Sequence, residues 1–133
     1  MRLMDVGAMS LSWPTACIAV RPEAGRSYRA PPLGGTSEDA LAKGTGVASA
    51  EYLPGVRLVR AFNAISNRSV DSKAHRAGEK VAIPIAGDDE EAVRIASEFV
   101  TDAGFDPVVV GGLSRARDFD QGSAVYVKDM TAA

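Results

Sequence analysis

Residues 81–110 read VAIPIAGDDEEAVRIASEFVTDAGFDPVVV, and this stretch decides the fold. Val81–Ala86 and Asp106–Val110 are short apolar, partly β-branched runs of the length that is typical of strands. Between them, apolar residues recur every three or four positions over 90–103, which predicts an amphipathic helix with one face for a sheet. A strand, a helix and a strand within about thirty residues predict a βαβ unit and an α/β fold.

Residues at the ends of these elements refine the prediction. Asp88 is predicted to cap the helix, with Glu91 as the second half of a capping box, and Gly104 is predicted to end it. Pro84 cannot donate a hydrogen bond to a neighbouring strand, so it is predicted to lie at a sheet edge or in a bulge. The strand after Pro107 is continuously apolar, which is typical of a strand covered on both faces.

A further strand is predicted upstream, because the apolar run Val56–Phe62 follows the turn pair Pro54-Gly55. Residues 1–50 are rich in proline and glycine and are predicted to form loops and short turns. A short helix from a Ser37 N-cap to Lys43 is the exception. We therefore expect an irregular segment over 1–50 and a folded unit over 51–133, with about three parallel or mixed strands and flanking helices.

The sequence Gly44-Thr-Gly46 begins like a dinucleotide-binding fingerprint. Such a fingerprint needs a strand, a tight turn and a helix N-terminus, so that backbone N–H groups meet the pyrophosphate. Ser49 stands where the third glycine belongs, and no apolar strand leads into the motif. The motif is therefore predicted to be a loop.

Composition excludes several classes of function. The 133 residues are enough for one domain, and 15 basic against 17 acidic residues leave no positive surplus for a nucleic acid partner. With a single cysteine, Cys17, and a single histidine, His75, we expect neither an internal disulfide nor a metal site. Cys17 is predicted to be a buried or incidental thiol, and His75 to lie in a solvated loop or at a helix end.

The hydropathy of the chain indicates where in the cell the protein is expected. No apolar run approaches the roughly 18 residues that a membrane span needs. Residues 1–20 do not form a secretory signal, because Pro14 interrupts the apolar region and Asp5 stands where basic residues belong. We therefore expect a cytoplasmic protein without a membrane partner.

Three stretches together resemble one protein family. They are YLPGVRLVRAFN (52–63), IPIAGDDEE (83–91) and AGFDPVVVGGLSRAR (103–117). They resemble the NADP-dependent deazaflavin oxidoreductase family, whose cofactor is coenzyme F-420 and whose domain also occurs in membrane-bound metalloreductases. The resemblance implies a partial Rossmann-like fold of the doubly wound type. It also implies hydride transfer between NADP(H) and a deazaflavin or a flavin.

The resemblance also implies which half of the domain this is. In the family a glycine-rich phosphate loop precedes such segments, so the chain resembles the second half of the domain without its N-terminal half. We expect the activity to be lost, or to depend on a partner that supplies the loop, either a second copy in a homodimer or another chain. The alternative is a non-catalytic remnant or a protein-interaction module that buries an open sheet.

The residues predicted to contact the cofactor are Asn63, Ala64 and Ile65. They follow the first well-defined strand, and residues just past the carboxyl end of a strand face the ligand crevice in open α/β sheets. In the family, the matching segment lines the place where the nicotinamide meets the second cofactor. The Asn63 carboxamide is suited to a nicotinamide amide or a flavin-like ring edge. It is equally suited to satisfying loop backbone at a strand end.

Two arginines after the last strand have two interpretations. Arg115 and Arg117 are able to bind a phosphate or a carboxylate bidentately. They are also placed for ion pairs with Asp118 and Asp120, which are common and contribute little at a surface. The sequence shows no pair of carboxylates, nucleophile or metal cluster, so no catalytic side chain is predicted. Hydride transfer between bound cofactors requires positioning above all.

Overall fold

The computed structural model describes the backbone of Cys17–Val20, Glu38, and residues 42–132. Its regular elements, in chain order, are β1 (Cys17–Val20), α1 (Thr45–Tyr52), β2 (Arg57–Arg60), α2 (Asn67–Lys73), β3 (Ala82–Gly87), α3 (Glu90–Asp102), β4 (Asp106–Gly111) and a 3-10 helix (Leu113–Phe119). The four strands form one sheet in the order β1-β2-β3-β4. β2 is antiparallel to both β1 and β3, whereas β3 and β4 are parallel. The predicted fold class, a partial Rossmann-like α/β unit with a mixed sheet, is confirmed.

The predicted βαβ unit is present as β3, α3 and β4, but its helix is capped differently. The side chain of Asp89, not Asp88, accepts a hydrogen bond from the Ala92 backbone N–H at 2.8 Å. Asp88 instead accepts one from the Leu113 N–H at 2.7 Å, at the start of the 3-10 helix. Glu91 pairs with an arginine one turn further along α3. The predicted capping box is therefore wrong, because a tertiary contact holds Asp88 outside the helix.

The end of α3 confirms the prediction for Gly104, whose φ is +86°. The Phe105 N–H donates to the Val100 carbonyl at 3.1 Å, and the Gly104 N–H donates to the Thr101 carbonyl at 2.9 Å. This pair of bonds is a Schellman motif, which needs a left-handed residue at the glycine position. The motif also packs Phe105 beneath the last turn, where its side chain is buried in the core.

Pro84 lies in an interior strand and yet has the local environment that was predicted. β2 pairs with β3 only at Ala86 and Gly87, so β4 alone lies beside Pro84. The missing N–H costs nothing there, because no strand of the described residues needs it. A register shift follows immediately, between Ile85 and Ala86.

β4 departs from the prediction that both of its faces are covered. It is the outermost strand of the sheet described here, and the Val109 side chain is 55% exposed. The prediction is wrong because a continuous apolar run does not distinguish a buried strand from an apolar edge strand. β4 therefore presents apolar surface on one face.

Alternate residues of the sheet belong to two separate hydrophobic cores, one on each face. On one face, α3 covers Val59, Ile83 and Ile85 in the larger cluster. On the other face, Ala86 packs with Phe119 and neighbours from the 3-10 helix and the C-terminal residues. The side chains of a strand point alternately to its two faces, which explains the division. The second face, covered by irregular chain, contains the site described below.

The described residues before 51 contain regular structure. β1 pairs along its whole length with β2. α1 begins at Thr45, so the prediction of a loop over Gly44-Thr-Gly46 is wrong. Of the predicted helix up to Lys43, Glu38, Ala42 and Lys43 are helical, whereas the Ser37 cap lies outside the described residues, as does the Cys17 side chain.

Candidate functional site

The loop after β2 begins with a strained residue. Phe62 has a φ of +63°, which is unusual for a bulky side chain. Its ring lies edge-on to the rings of Phe99 and Phe105, with centroids 6.0 Å apart in each case. These contacts hold Phe62 on the α3 side of the sheet, whereas Ala64 packs in the cluster on the opposite face. Strained backbone of this kind is concentrated at functional sites.

Asn63, the first predicted site residue, is directed into the protein. Its side chain is 2% exposed, and Nδ2 donates to the Phe119 carbonyl at 3.2 Å and to Asp120 Oδ1 at 3.4 Å. Its Oδ1 has no donor among the described residues. Asn63 thus ties the loop to the end of the 3-10 helix, as the interpretation based on loop backbone requires. Direct contact with a cofactor stays a prediction.

Ala64 and Ile65, the other predicted residues, line a cleft of about 250 Å³. Val108 and Val110 of β4 form its floor, and Phe119 of the 3-10 helix forms one wall. The lining is apolar apart from Asp118, Lys128 and Thr131. The structure therefore brings two of the three predicted residues together in one cavity, with Asn63 behind them.

The C-terminal residues close the other side of the cleft. The Val127 N–H donates to the Ala64 carbonyl, and the Ala82 N–H to the Met130 carbonyl, both at 2.8 Å. Val127 has a φ of +56°, a second strained backbone beside the predicted site segment. Asp129 is anchored by Lys73 at 2.5 Å, and this ion pair holds the pKa of its carboxyl below the usual range.

The cleft lies elsewhere in the sheet than the strand-end argument assumed. β2 is antiparallel to β3 with Arg60 opposite Ala86, so the chain that follows β2 runs back along β3 towards its start. The carboxyl ends of the parallel strands β3 and β4 are at Gly87 and Gly111, whereas the cleft lies over the face of these strands, from Ala82 to Val110. The rule that ligands bind at the carboxyl ends of parallel strands therefore does not support this site. The evidence for a site at Ala64 and Ile65 is the cleft that they line.

A second constellation lies behind Asn63 and was missed in the sequence. Arg60 is fully buried, and its Nη2 lies 3.2 Å from Asp120 Oδ1. Asp120 also accepts hydrogen bonds from the Thr45 N–H at 2.9 Å and from Thr45 Oγ1 at 2.6 Å. We call these residues, Thr45, Arg60, Asn63 and Asp120, the Asp120 pocket. The one signal in the sequence was that a charged residue, Arg60, follows the apolar pair Leu58 and Val59 within the strand.

The two arginines after β4 have separate partners. Arg115 pairs with Asp118 at 2.7 Å, which confirms the ion-pair interpretation for that residue. Arg117 donates instead to the Ala42 carbonyl at 3.1 Å, and the expected pairing with Asp120 is wrong because Arg60 and Thr45 hold that carboxylate. His75 is exposed just after α2, as predicted.

The helix N-termini of the described α-helices are all occupied from within the chain. Asp120 accepts from the first residue of α1, Ser66 caps α2, and Asp89 caps α3. A free N-terminus is the usual site for a pyrophosphate. Within residues 42–132, therefore, none is open to a dinucleotide without a rearrangement.

The described residues contain neither a metal-binding cluster nor a membrane-spanning helix. No group of three or more histidine, cysteine, aspartate or glutamate side chains is placed there to hold a metal ion. Likewise, none of the helices described has both the length and the apolar character to cross a membrane.

Comparison with known proteins supports the fold. No protein-family model and no curated protein matches the chain. Among solved structures, it is similar to a hypothetical protein from Sinorhizobium meliloti, with 20% identity and a TM-score of 0.62 over 67% of this chain and 44% of that one. A protein provisionally described as an F-420-dependent NADP reductase, from an Arthrobacter species, has 19% identity and a TM-score of 0.48 over 54% and 33%.

The chain thus spans less than half the length of these two solved structures. At such identities a likeness shows the fold alone, and the similarity at a TM-score of 0.62 supports the α/β fold described above. The deazaflavin oxidoreductase family remains a prediction from the three sequence stretches.

Proposed function

We propose that this chain is the ring-binding part of an NADP(H)-dependent reductase that passes hydride between NADP(H) and a deazaflavin or flavin. The observation that carries the proposal is the apolar cleft lined by Ala64 and Ile65, in the segment that resembles the family. When bound, the nicotinamide supplies or accepts the hydride, and the protein positions the ring and excludes water.

The size of the cleft decides how much of a cofactor it holds. Sites for drug-sized ligands have volumes of about 300–1,000 Å³. At about 250 Å³, the cleft fits one ring system with apolar faces and does not fit an entire dinucleotide. Lys128 among the lining residues supplies a positive charge for an anionic group on the ligand. Ala64 and Ile65 would contact the ring, while Asn63 holds their segment against the 3-10 helix.

The pyrophosphate needs another binding element. The N-termini of α1, α2 and α3 are occupied by Asp120, Ser66 and Asp89. We therefore propose that the glycine-rich loop comes from outside residues 42–132, either from another segment or from a partner chain. Without that loop, hydride transfer by the isolated unit is expected to be absent.

The test uses ligands that contain the ring but no dinucleotide. Reduced nicotinamide mononucleotide and flavin mononucleotide are titrated into the protein by calorimetry, with an expected Kd on the order of 1 mM. Val110→Phe fills the cleft and should abolish binding. Val109→Phe is the matched control, because Val109 is adjacent in the strand but points to the opposite face. Lack of binding by the folded wild type, or equal loss in both variants, would contradict the proposal.

The second candidate is an interaction module that forms a homodimer, and the outer edge of β4 favours it. The Asp106 N–H bonds to Val81 on the β3 side, so the alternating pattern directs the Val109 N–H outward. An exposed apolar edge strand is a template for pairing with a second copy. Sedimentation should then show a dimer that Val109→Lys converts to a monomer. A wild type that is monomeric at high micromolar concentration would exclude this alternative.

A further inference from the structure

The Asp120 pocket gathers donors around a single carboxylate. Asp120 accepts from the Thr45 N–H at 2.9 Å, Thr45 Oγ1 at 2.6 Å, Arg60 Nη2 at 3.2 Å and Asn63 Nδ2 at 3.4 Å. These donors come from the start of α1, from β2 and from the loop after β2. The Asp120 side chain itself is 13% exposed, so the pocket reaches solvent at that residue.

The pocket has more donors than the carboxylate satisfies. Nε and Nη1 of Arg60 have no acceptor among the described residues, although the side chain is fully buried. An unsatisfied buried donor is costly, and more so on a charged group. A carboxylate presents two oxygens, whereas a phosphate group presents at least three acceptor oxygens and up to two negative charges. The donor set therefore suits a phosphate group better than it suits Asp120.

The start of α1 reinforces this preference. The positive end of a helix dipole stabilises anions within its first turn. Thr45 is the first residue of α1, and the helix is held in place by close packing at Gly46. A Cβ at Gly46 would lie 2.8 Å from the Ala116 Cβ and 2.8 Å from the Leu113 carbonyl oxygen. The donors are thus fixed before any ligand arrives.

The residue that occupies the pocket is attached to a loop with few constraints. Asp120 follows the last residue of the 3-10 helix, and Gln121 and Gly122 beyond it are exposed. Apart from Gly122 itself and its two chain neighbours, no atom lies within 4 Å of the position that a Cβ would take there. Outward movement of Asp120 is therefore resisted mainly at its other neighbour, Phe119, which is buried in the core.

We propose that the Asp120 pocket is a phosphate-binding site in which Asp120 is the resident anion, displaced when a phosphate group binds. The ligand is a free phosphate or the phosphate of a monoester, held by Thr45, Arg60 and Asn63. The inference does not rest on the proposed reductase function, since it needs no redox ring.

The test replaces the resident anion and adds inorganic phosphate. Asp120→Ala should lower the Tm, and phosphate at constant ionic strength should raise it again, by about 5 °C at a tenfold excess over Kd. Phosphorus NMR on the isosteric Asp120→Asn should show phosphate binding at least tenfold tighter than to the wild type. Asp129→Ala, which removes another partly buried, ion-paired carboxylate, is the control and should not respond to phosphate.

Two further variants make the assignment specific. Thr45→Val in the Asp120→Asn background removes one donor while preserving side-chain shape, and should weaken phosphate binding several-fold. Adenosine monophosphate in place of phosphate separates the two sources: binding means that esters are admitted, and no binding means that only free phosphate is. If folded Asp120→Asn and Asp120→Ala both fail to bind phosphate, the pocket is a structural ion pair and the proposal is wrong.

Discussion

Replacing Gly46 by alanine sets two well-known effects against each other. Within a helix, alanine is favoured over glycine by about 1 kcal/mol, and Gly46 does not have a positive φ that would oppose the change. The new Cβ, however, would lie 2.8 Å from both the Ala116 Cβ and the Leu113 carbonyl oxygen. Overpacking costs about 1–3 kcal/mol, and the upper end applies because a backbone carbonyl cannot rotate away. We therefore expect a net loss of about 2 kcal/mol.

The assay is urea unfolding followed by circular dichroism, with the free energy of unfolding taken from the midpoint and slope. Gly122→Ala is the matched control, because that residue has a φ of +93° and open space around it. Its free energy of unfolding should fall by only about 1 kcal/mol, because alanine is disfavoured in left-handed backbone. If Gly46→Ala is as stable as the wild type, α1 does not pack on the 3-10 helix as closely as described, and the reasoning fails.

Three other predictions concern stability. The pKa of Asp129 is lowered chiefly by its hydrogen bond from Lys73, so the unfolded chain takes up the proton first as pH falls. The Tm difference between wild type and Asp129→Asn should be largest at pH 7 and should shrink below about pH 4. A difference that stays constant with pH would refute this. Ile85→Ala should cost about 2–5 kcal/mol in urea unfolding, whereas exposed Val109→Ala should change stability by less than about 0.5 kcal/mol. Gly104→Ala, at a φ of +86° and against the His75 backbone, should cost more than about 2 kcal/mol, and a smaller loss would argue against the Schellman motif.

The elements over 81–110 were predictable because their patterns are local. The helix α3 has a clear apolar periodicity, and Gly104 ends it by a backbone requirement that depends only on neighbouring residues. The exchange of roles between Asp88 and Asp89 was not predictable, since it depends on the Leu113 N–H, 25 residues away. Likewise, α1 begins at Thr45 because Asp120, 75 residues later, accepts its first N–H.

The candidate site, too, was predictable only in part from the sequence. The resemblance indicated Ala64 and Ile65, and both line the cleft. The direction of β2 was not apparent from an apolar run, because parallel and antiparallel strands have the same composition there. Because of that direction, the chain after β2 runs back along β3, and the cleft lies over the face of the sheet and not at the carboxyl ends of β3 and β4. The burial of Arg60 was not apparent, because the strand holds two arginines and charged residues in a short strand are usually assigned to a solvated face.

Asn63 connects the two proposed sites through one carboxamide. Its neighbour Ala64 lines the cleft, and its Nδ2 contacts both the carbonyl of Phe119, a cleft residue, and the carboxylate of Asp120. Asp120 directly follows Phe119, so a phosphate group that displaced Asp120 would pull on a wall of the cleft. Any resulting effect on ring binding must be reciprocal, because coupling between two sites is one free energy shared by both ligands. If both proposed sites bind their ligands, Asn63, Phe119 and Asp120 would couple them.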